Sequence, residues 1–334
     1  MVAVSYRRST MVFVVACLLL AMSLSVLVLI GAKVSSLHNC SRITWDATAQ
    51  DFGSANSSTE SSSFQSPFLT IITGFSSNHL MEGILMLRSL IRSNYTGPVV
   101  VYLLHRKGEV LSDDMRVHLP EQLSNSTLDA SVVVYEVEEY EDYCFKPRLI
   151  HDYLYDATIS NSRPAILYWA DASIRHRSNP SNWATAMVQD DVDFAGTISV
   201  LGMGENTHED TYRYLNMSRE GYKQYTEIRS GVWLMNLQRN QAETHLLQPW
   251  MDCAIRACHT CMAPIGSIKK LSKPWKGPPS TEVIVHRQDQ SVLSLLTYRS
   301  KNKTLCNVVF NNPKYLRVGV ERGTKATSLD LVNF

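Results

Sequence analysis

The sequence has almost no net charge, no internal repeat and neither of the common glycine-rich phosphate motifs. Its 334 residues carry a formal charge of +1, whereas nucleic-acid binding needs a basic patch or stripe. The patterns G-x-G-x-x-G and G-x-x-x-x-G-K-[ST] are both missing, which argues against a nicotinamide-dependent enzyme and a P-loop nucleoside triphosphatase. Hydrophobic residues make up 45% of the chain. A sizeable core can therefore form, in one large domain or two small ones.

An uncharged apolar run near the N-terminus predicts attachment to a membrane. It covers residues 11–32, long enough for a spanning helix of about 20 residues, and Arg7 and Arg8 precede it. A cleaved signal peptide is the alternative, but its apolar core usually has about 7–15 residues and ends at a small-residue cleavage site. We therefore expect a retained signal anchor with residues 1–10 in the cytosol. Lys33 on the other flank weakens this charge asymmetry.

The chain beyond the anchor has the composition of a stem followed by a folded domain. Residues 33–66 are Ser-rich and too polar to fold alone, so we expect a flexible stem. Residues 67–334 would then form the domain. N-x-S/T sequons occur at Asn39, Asn56, Asn94, Asn125, Asn216 and Asn302. About three would be expected by chance, so the excess favours a lumenal or extracellular glycoprotein.

Six cysteines lie beyond the anchor, and we interpret them as disulfide-forming. They are Cys40, Cys144, Cys253, Cys258, Cys261 and Cys306. An even number in an oxidising compartment is typical of disulfides, whose pairing the sequence does not give. The alternative is a zinc site that uses Cys258, His259 and Cys261. Structural zinc needs four ligands, typically two spaced pairs, and no second pair is present.

The apolar runs after residue 67 alternate between strand and helix patterns. Short β-branched runs predict strands at 68–75, 97–105, 131–139, 165–171, 192–200 and 230–237. Longer segments with helical spacing predict helices at 79–94, 146–158, 241–257 and 289–298. Strands that alternate with helices favour an α/β fold with a mostly parallel, Rossmann-like sheet flanked by helices. Ligands of such sheets bind at the carboxyl ends of the strands.

One such strand end carries Asp171 and, two residues later, Ser173. Many enzymes that use nucleotide-sugars have two carboxylates at this spacing, where they hold a divalent cation. Here one carboxylate and one hydroxyl would form a weaker cation site. The alternative is that Asp171 only ends the strand and caps the next turn. A literal D-x-D, Asp191 and Asp193, opens a predicted strand, and we interpret it as a solvated turn.

Three other segments carry polar residues where a ligand could bind, and each also has a purely structural interpretation. The stretch TGFSSNH offers backbone N–H groups to an anionic ligand, or simply caps a helix. Arg229 and Gly231 precede an apolar run, where glycine would let a substrate approach the backbone, or where the chain merely turns. Asp289 and Gln290 begin a helix, where Asp289 either contacts a ligand or only caps the helix. The order of these segments is more informative than any one of them.

In that order, the segments resemble nucleotide-sugar glycosyltransferases of the GT-A fold. The matching stretches are TIITGFSSNHLMEGILMLRSL, CFKPRLIHDYL, ILYWADAS, IRSGVWLMN and HRQDQSVLSLL. The chain looks most similar to uncharacterised type II animal transferase-like proteins and, more distantly, to the retaining, glycogenin-like transferases. The resemblance implies a GT-A-like domain behind a single transmembrane anchor and a stem. It also implies a single-pass type II protein of the Golgi membrane with its domain in the lumen.

The resemblance assigns roles to residues in every segment. Base and ribose of the donor would contact the first strand end, at Thr73, Gly74, Ser76 and Asn78. Other donor contacts would come from Lys146, Arg148, Ser173, Arg229 and Gly231. Catalytic contacts with the transferred sugar or acceptor would come from Asp171, Asp289 and Gln290. A Mn²⁺ or Mg²⁺ ion would be held by Asp171 with His176 or His286.

The implied function is a Golgi-lumenal, hexosyltransferase-like enzyme. It would move a sugar from a nucleotide-diphospho-sugar, foremost a UDP-sugar, to a glycan, protein or lipid acceptor. A metal ion, or Lys146, Arg148 and Arg229 in its place, would stabilise the leaving diphosphate. Because Ser173 replaces a carboxylate, both metal dependence and a catalytically silent transferase-like binding or scaffold protein stay open. The donor sugar, the acceptor, the stereochemistry and assembly into a homo-oligomer also stay open.

Overall fold

The computed structural model describes residues 68–138, 140, 143–156, 163–264, 287–301, 303–305 and 307–320. The predicted anchor and stem lie outside this part of the chain, and so do Cys40, His286 and Cys306. Among the described residues, no helix has the length and apolar character needed to cross a membrane.

Within the described residues, a seven-stranded sheet forms the centre of the fold. Its strands are β1 (Leu69–Ser76), β2 (Pro98–Arg106), β3 (Asp129–Val137), β4 (Ile166–Ala170), β6 (Phe194–Gly202), β7 (Thr226–Asn236) and β8 (Val308–Phe310). A separate antiparallel pair consists of β5 (Ile174–His176) and β9 (Val318–Val320). The sheet order is β3-β2-β1-β4-β7-β6-β8. Only β7 runs against its neighbours, so the prediction of a mostly parallel sheet is confirmed.

Helices cover both faces of this sheet. They are α1 (Leu80–Arg92), α2 (Leu119–Ser124), α3 (Phe145–Tyr155), α4 (Pro180–Gln189), α5 (Met203–Asn206), α6 (Glu209–Tyr214), α7 (Arg219–Tyr222), α8 (Asn240–Ala242), α9 (Gln248–Arg256) and α10 (Gln288–Lys301). Short 3₁₀ or π-helical turns add Ser77–His79, Asp114–His118, Glu243–Leu247 and Cys258–Met262. The four predicted helices correspond to α1, α3, the α8–α9 region and α10.

The sheet separates two apolar cores. Helices α3, α9 and α10 pack on one face, around Trp169, Trp233 and Trp250. Helices α1 and α4 pack on the other face, where Tyr168 and Trp183 are buried. Neighbouring residues of β4 therefore point into different cores, as strand geometry requires. This explains why the sequence of β4 is a continuous apolar run, as expected of a central strand that is buried on both faces.

Helix α4 was missed in the sequence, although its start carries a recognisable signal. Asn179 is its N-cap, and the Asn179 side chain accepts a hydrogen bond from the backbone N–H of Ser181 at 2.9 Å. Pro180 occupies the first turn, where its missing N–H costs nothing.

Two disulfides confirm the interpretation for four of the six cysteines. Cys144 pairs with Cys258, and Cys253 pairs with Cys261. Cys144 directly precedes α3, so the first disulfide ties the start of this helix to the turn after α9. Lys146, in the first turn of α3, is thereby held at a covalently anchored position.

Candidate functional site

Asp171 lies at the carboxyl edge of the sheet, directly after β4. Its backbone N–H donates a hydrogen bond to the carbonyl oxygen of Gly231 in β7 at 2.8 Å. The side chain is fixed as well, because Nε1 of Trp169 donates to its Oδ1 at 2.8 Å. About a third of the Asp171 side chain, 29%, is still exposed. This strand end therefore presents a carboxylate of fixed orientation to solvent.

Lys146 places its ammonium group between two carboxylates. Its Nζ is 3.0 Å from Oδ1 of Asp171 and 3.2 Å from Oδ2 of Asp289. Burial alone would lower the pKa of Lys146, but the two carboxylates outweigh burial and raise this pKa above its usual value. The ring centroids of Tyr143 and Trp169 each lie 5.7 Å from Nζ. Lys146 is therefore a fixed, permanently charged part of the site.

Asp289 completes this group from the first turn of α10. It is 3% exposed, and burial raises the pKa of its carboxyl, while Lys146 and a hydrogen bond with Ser230 act in the opposite direction. Nε1 of Trp250 donates to the backbone carbonyl of Asp289 at 3.2 Å, which fixes the helix start. Two carboxylates and one ammonium give this site a formal charge of −1.

Gly231 leaves the space that the Asp171 carboxylate occupies. A Cβ atom built on Gly231 would lie 2.6 Å from Oδ2 and 3.2 Å from Cγ of Asp171. The carboxylate is held by Trp169 and Lys146 and has little freedom to move aside. A glycine at this position is therefore required by the site as it stands.

The structure adds one buried acid that sequence reasoning missed. Glu227 in β7 is fully buried and accepts hydrogen bonds from Nε2 of Gln290 and from Oγ of Ser291, each at 2.7 Å. Burial raises the pKa of Glu227 to about 7, even though these two bonds and Arg287 act to lower it. Gln290 was predicted to contact the sugar or acceptor, but its amide group is bound to Glu227. A lone glutamate before an apolar run gave no signal of burial.

The residues predicted at the first strand end are only partly available to a ligand. Thr73 lies within β1, which runs to Ser76, and its side chain is completely buried. Gly74 faces apolar side chains, and a Cβ there would be 3.1 Å from Cδ1 of Leu149. Ser76 ends the strand, and Asn78 in the following turn is exposed. Ser76 is buried, so Asn78 is the better-placed candidate for a nucleotide contact.

Of the two predicted arginines, Arg148 is bound elsewhere. Arg148 donates from Nη2 to the carbonyl oxygen of Ala254 in α9 at 3.2 Å. Residues two apart on a helix do not face the same side, so Arg148 turns away when Lys146 turns toward Asp171. Arg229 is exposed on β7. Lys146 is thus the cation that the structure places beside Asp171 and Asp289.

His176 is not available as the predicted second metal ligand, and His286 lies outside the described residues. Both ring nitrogens of His176 are hydrogen-bonded, to Oγ of Ser89 and to the hydroxyl of Tyr168, each at 2.9 Å. Burial lowers the pKa of His176 to about 3, so it is a neutral core residue. Ser173 is buried in the turn after Asp171.

The literal D-x-D has a structural role elsewhere. Asp191 follows α4 with φ +59°, and the N–H of the next residue bonds back to Met187 at 2.8 Å, which caps the helix. Asp193 is fully buried and pairs with Nε of Arg239 at 3.2 Å. The interpretation of Asp191 as a turn residue is therefore confirmed, while Asp193 is a buried ion-pair partner and is not solvated.

The donor set around Asp171 does not fit a resident divalent cation. Such ions bind several oxygen atoms at roughly 2.0–2.6 Å. Oδ1 of Asp171 already accepts from Trp169 and faces Lys146, and its Oδ2 is 3.2 Å from Nζ of Lys146. In the part of the chain that the structure describes, no three His, Cys, Asp or Glu side chains are grouped so as to hold a metal ion.

Comparisons with known proteins give only distant similarities. No family model matches this sequence, and no curated protein matches it. Among solved structures, the galactosyltransferase LgtC in complex with donor and acceptor sugar analogues is 13% identical over 73% of each chain, with a TM-score of 0.40. An active-site mutant of LgtC has the same values. The apo form of the bifunctional glycosyltransferase WbbM is 13% identical over 60% of this chain and 39% of its own, with a TM-score of 0.35. These similarities do not assign the chain to a family.

Proposed function

We propose that this protein is a glycosyltransferase that uses a nucleotide-diphospho-sugar, with a UDP-sugar as the first candidate donor. One observation carries the proposal. Asp171 after β4, Lys146 of α3 and Asp289 of α10 converge at the carboxyl edge of the sheet. Ligands of open α/β sheets bind at this edge, and three of the predicted donor motifs supply these three residues.

The chemistry of this site suits a polar sugar donor. The exposed part of the Asp171 carboxylate can accept hydrogen bonds from sugar or ribose hydroxyl groups, and Lys146 holds it in place. Gly231 leaves room for the Asp171 carboxylate in this position. In the transfer, the bond from the anomeric carbon to the diphosphate oxygen breaks, and the diphosphate leaves with the electron pair. A bond to the acceptor hydroxyl oxygen forms, and the hydroxyl proton is released with the nucleoside diphosphate. The acceptor would be a glycan, a protein or a lipid.

The test is calorimetric titration of the purified full-length chain with UDP, in buffer with Mn²⁺ and in buffer with chelator. We expect Asp171→Asn to weaken UDP binding at least tenfold, about 1.4 kcal/mol or more. Asp191→Asn is the matched control, because it makes the same change in the literal D-x-D and should leave the affinity unchanged. If the folded wild-type chain binds neither UDP nor any other nucleoside diphosphate, the proposal is wrong.

A catalytically silent transferase-like binding or scaffold protein is the second candidate. It is favoured by the internal pairing of the site, since Asp171 is bound to Lys146 and the amide of Gln290 is bound to Glu227. Such a protein would bind the nucleotide but would not consume a nucleotide-sugar. Release of UDP from UDP-sugars, measured with and without a mixture of acceptors, distinguishes the two candidates.

We further propose that the domain lies in the Golgi lumen, as a type II membrane protein. In support, the sequon residues Asn94, Asn125 and Asn216 are exposed, and two disulfides suit an oxidising compartment. Endoglycosidase treatment of the protein from animal cells should increase its electrophoretic mobility. A protein with no N-glycans and a cytosolic distribution would contradict this location.

A further inference from the structure

We infer that Lys146 is the built-in cation of the candidate site, located between Asp171 and Asp289 where a divalent cation would otherwise bind. The nucleotide diphosphate is then bound without a metal ion. The statement about the nucleotide rests on the proposed function. The statement about the cation rests only on the arrangement of the three side chains.

The geometry around Lys146 resembles a cation site that is already filled. Nζ lies 3.0 Å and 3.2 Å from the two oxygens of Asp171, and 3.2 Å from Oδ2 of Asp289. Metal–oxygen bonds of roughly 2.0–2.6 Å are shorter than these distances by about half to one ångström. The two carboxylates would thus need only a small movement to bind a metal, provided that the ammonium group were absent.

The surroundings of Lys146 hold its ammonium group at the position that a metal would need. Lys146 is only 5% exposed, and the rings of Tyr143 and Trp169 lie next to its ammonium group. The disulfide between Cys144 and Cys258 also ties the start of α3 to the turn after α9. The carboxylates also keep the pKa of Lys146 above its usual value, so the lysine does not lose its charge at neutral pH.

Lys146 also lowers the negative charge that a diphosphate would meet near this group. Two carboxylates alone would carry −2 and would repel an anionic donor. With Lys146 the group carries −1, and the partly exposed Asp171 keeps lone pairs for sugar hydroxyl groups. Lys146 therefore takes over the charge compensation that a metal supplies in other sites of this kind.

The test measures Mn²⁺ binding to the full-length chain by calorimetry and by the loss of the free-Mn²⁺ electron paramagnetic resonance signal. We expect the wild type to bind no Mn²⁺ stoichiometrically. Lys146→Met keeps the apolar stem and removes the ammonium, so this variant should gain one Mn²⁺ site at least tenfold tighter than anything in the wild type. The double variant Lys146→Met with Asp171→Asn should lose that site again. Arg148→Met, which removes a charge from the same helix, should behave like the wild type.

The outcomes separate this inference from the proposed function. A wild-type chain that binds one Mn²⁺, and loses it in Asp171→Asn, overturns the inference. Should Lys146→Met fail to fold, the wild-type titration decides alone. UDP affinity that is equal with Mn²⁺ and with chelator supports the inference, whereas UDP binding that requires Mn²⁺ overturns it and leaves the proposed function intact. If UDP does not bind at all, the proposed function fails. The gain of a Mn²⁺ site in Lys146→Met still tests whether Lys146 occupies the position of a divalent cation.

Discussion

Replacing Glu227 by glutamine should remove a pH-dependent loss of stability. Glu227 is fully buried and its pKa is raised to about 7 from a reference of 4.5. An acid with a raised pKa in the folded state stabilises the fold below its unfolded pKa and loses this contribution as the pH rises through its folded pKa. The wild type should therefore lose stability between about pH 4.5 and pH 8, while the glutamine variant should lack this component.

The expected magnitude follows from the pKa difference. One pKa unit corresponds to about 1.4 kcal/mol, so the shift from 4.5 to about 7 corresponds to roughly 3 kcal/mol. The hydrogen bonds should survive the change. Ser291 can donate its hydroxyl proton to the carbonyl of Asn206, which is 2.8 Å away, and accept from the new amide. Gln290 keeps an oxygen acceptor on residue 227.

The assay is urea unfolding of both proteins across this pH range, followed by tryptophan fluorescence. The difference in unfolding free energy, variant minus wild type, should grow by roughly 3 kcal/mol as the pH rises. Glu243→Gln is the matched control. Although burial opposes it, hydrogen bonds with Arg163 and Tyr155 lower the pKa of Glu243, so its difference from wild type should stay constant above about pH 5. A difference for Glu227→Gln that does not change with pH would refute the reasoning.

Three further predictions concern the site and its supports. Gly231→Ala should push the Asp171 carboxylate aside, weaken UDP binding at least tenfold and lower the unfolding free energy by about 1–3 kcal/mol; unchanged UDP binding would contradict the close approach of the two residues. Lys146→Met should lower the unfolding free energy by roughly 3–5 kcal/mol in urea, because it leaves the buried Asp289 and the partly exposed Asp171 without a cation, and a loss below 1 kcal/mol would speak against this ion pair. The double variant Cys144→Ser with Cys258→Ser should lose roughly 2–5 kcal/mol in thermal unfolding, since the disulfide closes a long loop; an unchanged melting temperature would show that the bond does not constrain the chain.

Much of the fold was predictable because each central strand has its own local pattern. Every strand predicted from an apolar, β-branched run is present, within a few residues of its predicted bounds. The run ILYWA of β4 is an instance, since both of its faces are buried and each residue must be apolar. Helix α10 is another, because its spacing and polar start are typical of a helix against a sheet. By contrast, β5 and β9 have three residues each, too few to give a periodic signal.

The candidate site was predicted in part, for reasons that particular residues make clear. Asp171 could be selected because a polar residue that ends a buried strand has to lie at the edge of the sheet. Thr73 was assigned a nucleotide contact although it lies within the predicted strand 68–75, and it is completely buried in β1. Glu227 was missed, since a glutamate beside an apolar run is exposed in most proteins.

The sequence by itself determined the alternation of strands and helices, the mostly parallel sheet and the edge at which a ligand would bind. These features depend on local periodicity, which neighbouring residues carry. Only the tertiary structure decided which polar residues meet. Lys146 and Asp171 are separated by 25 residues, and Glu227 and Gln290 by 63, and no local pattern records such distant contacts. The tertiary structure also decided that His176 belongs to the core, because its partners come from α1 and β4.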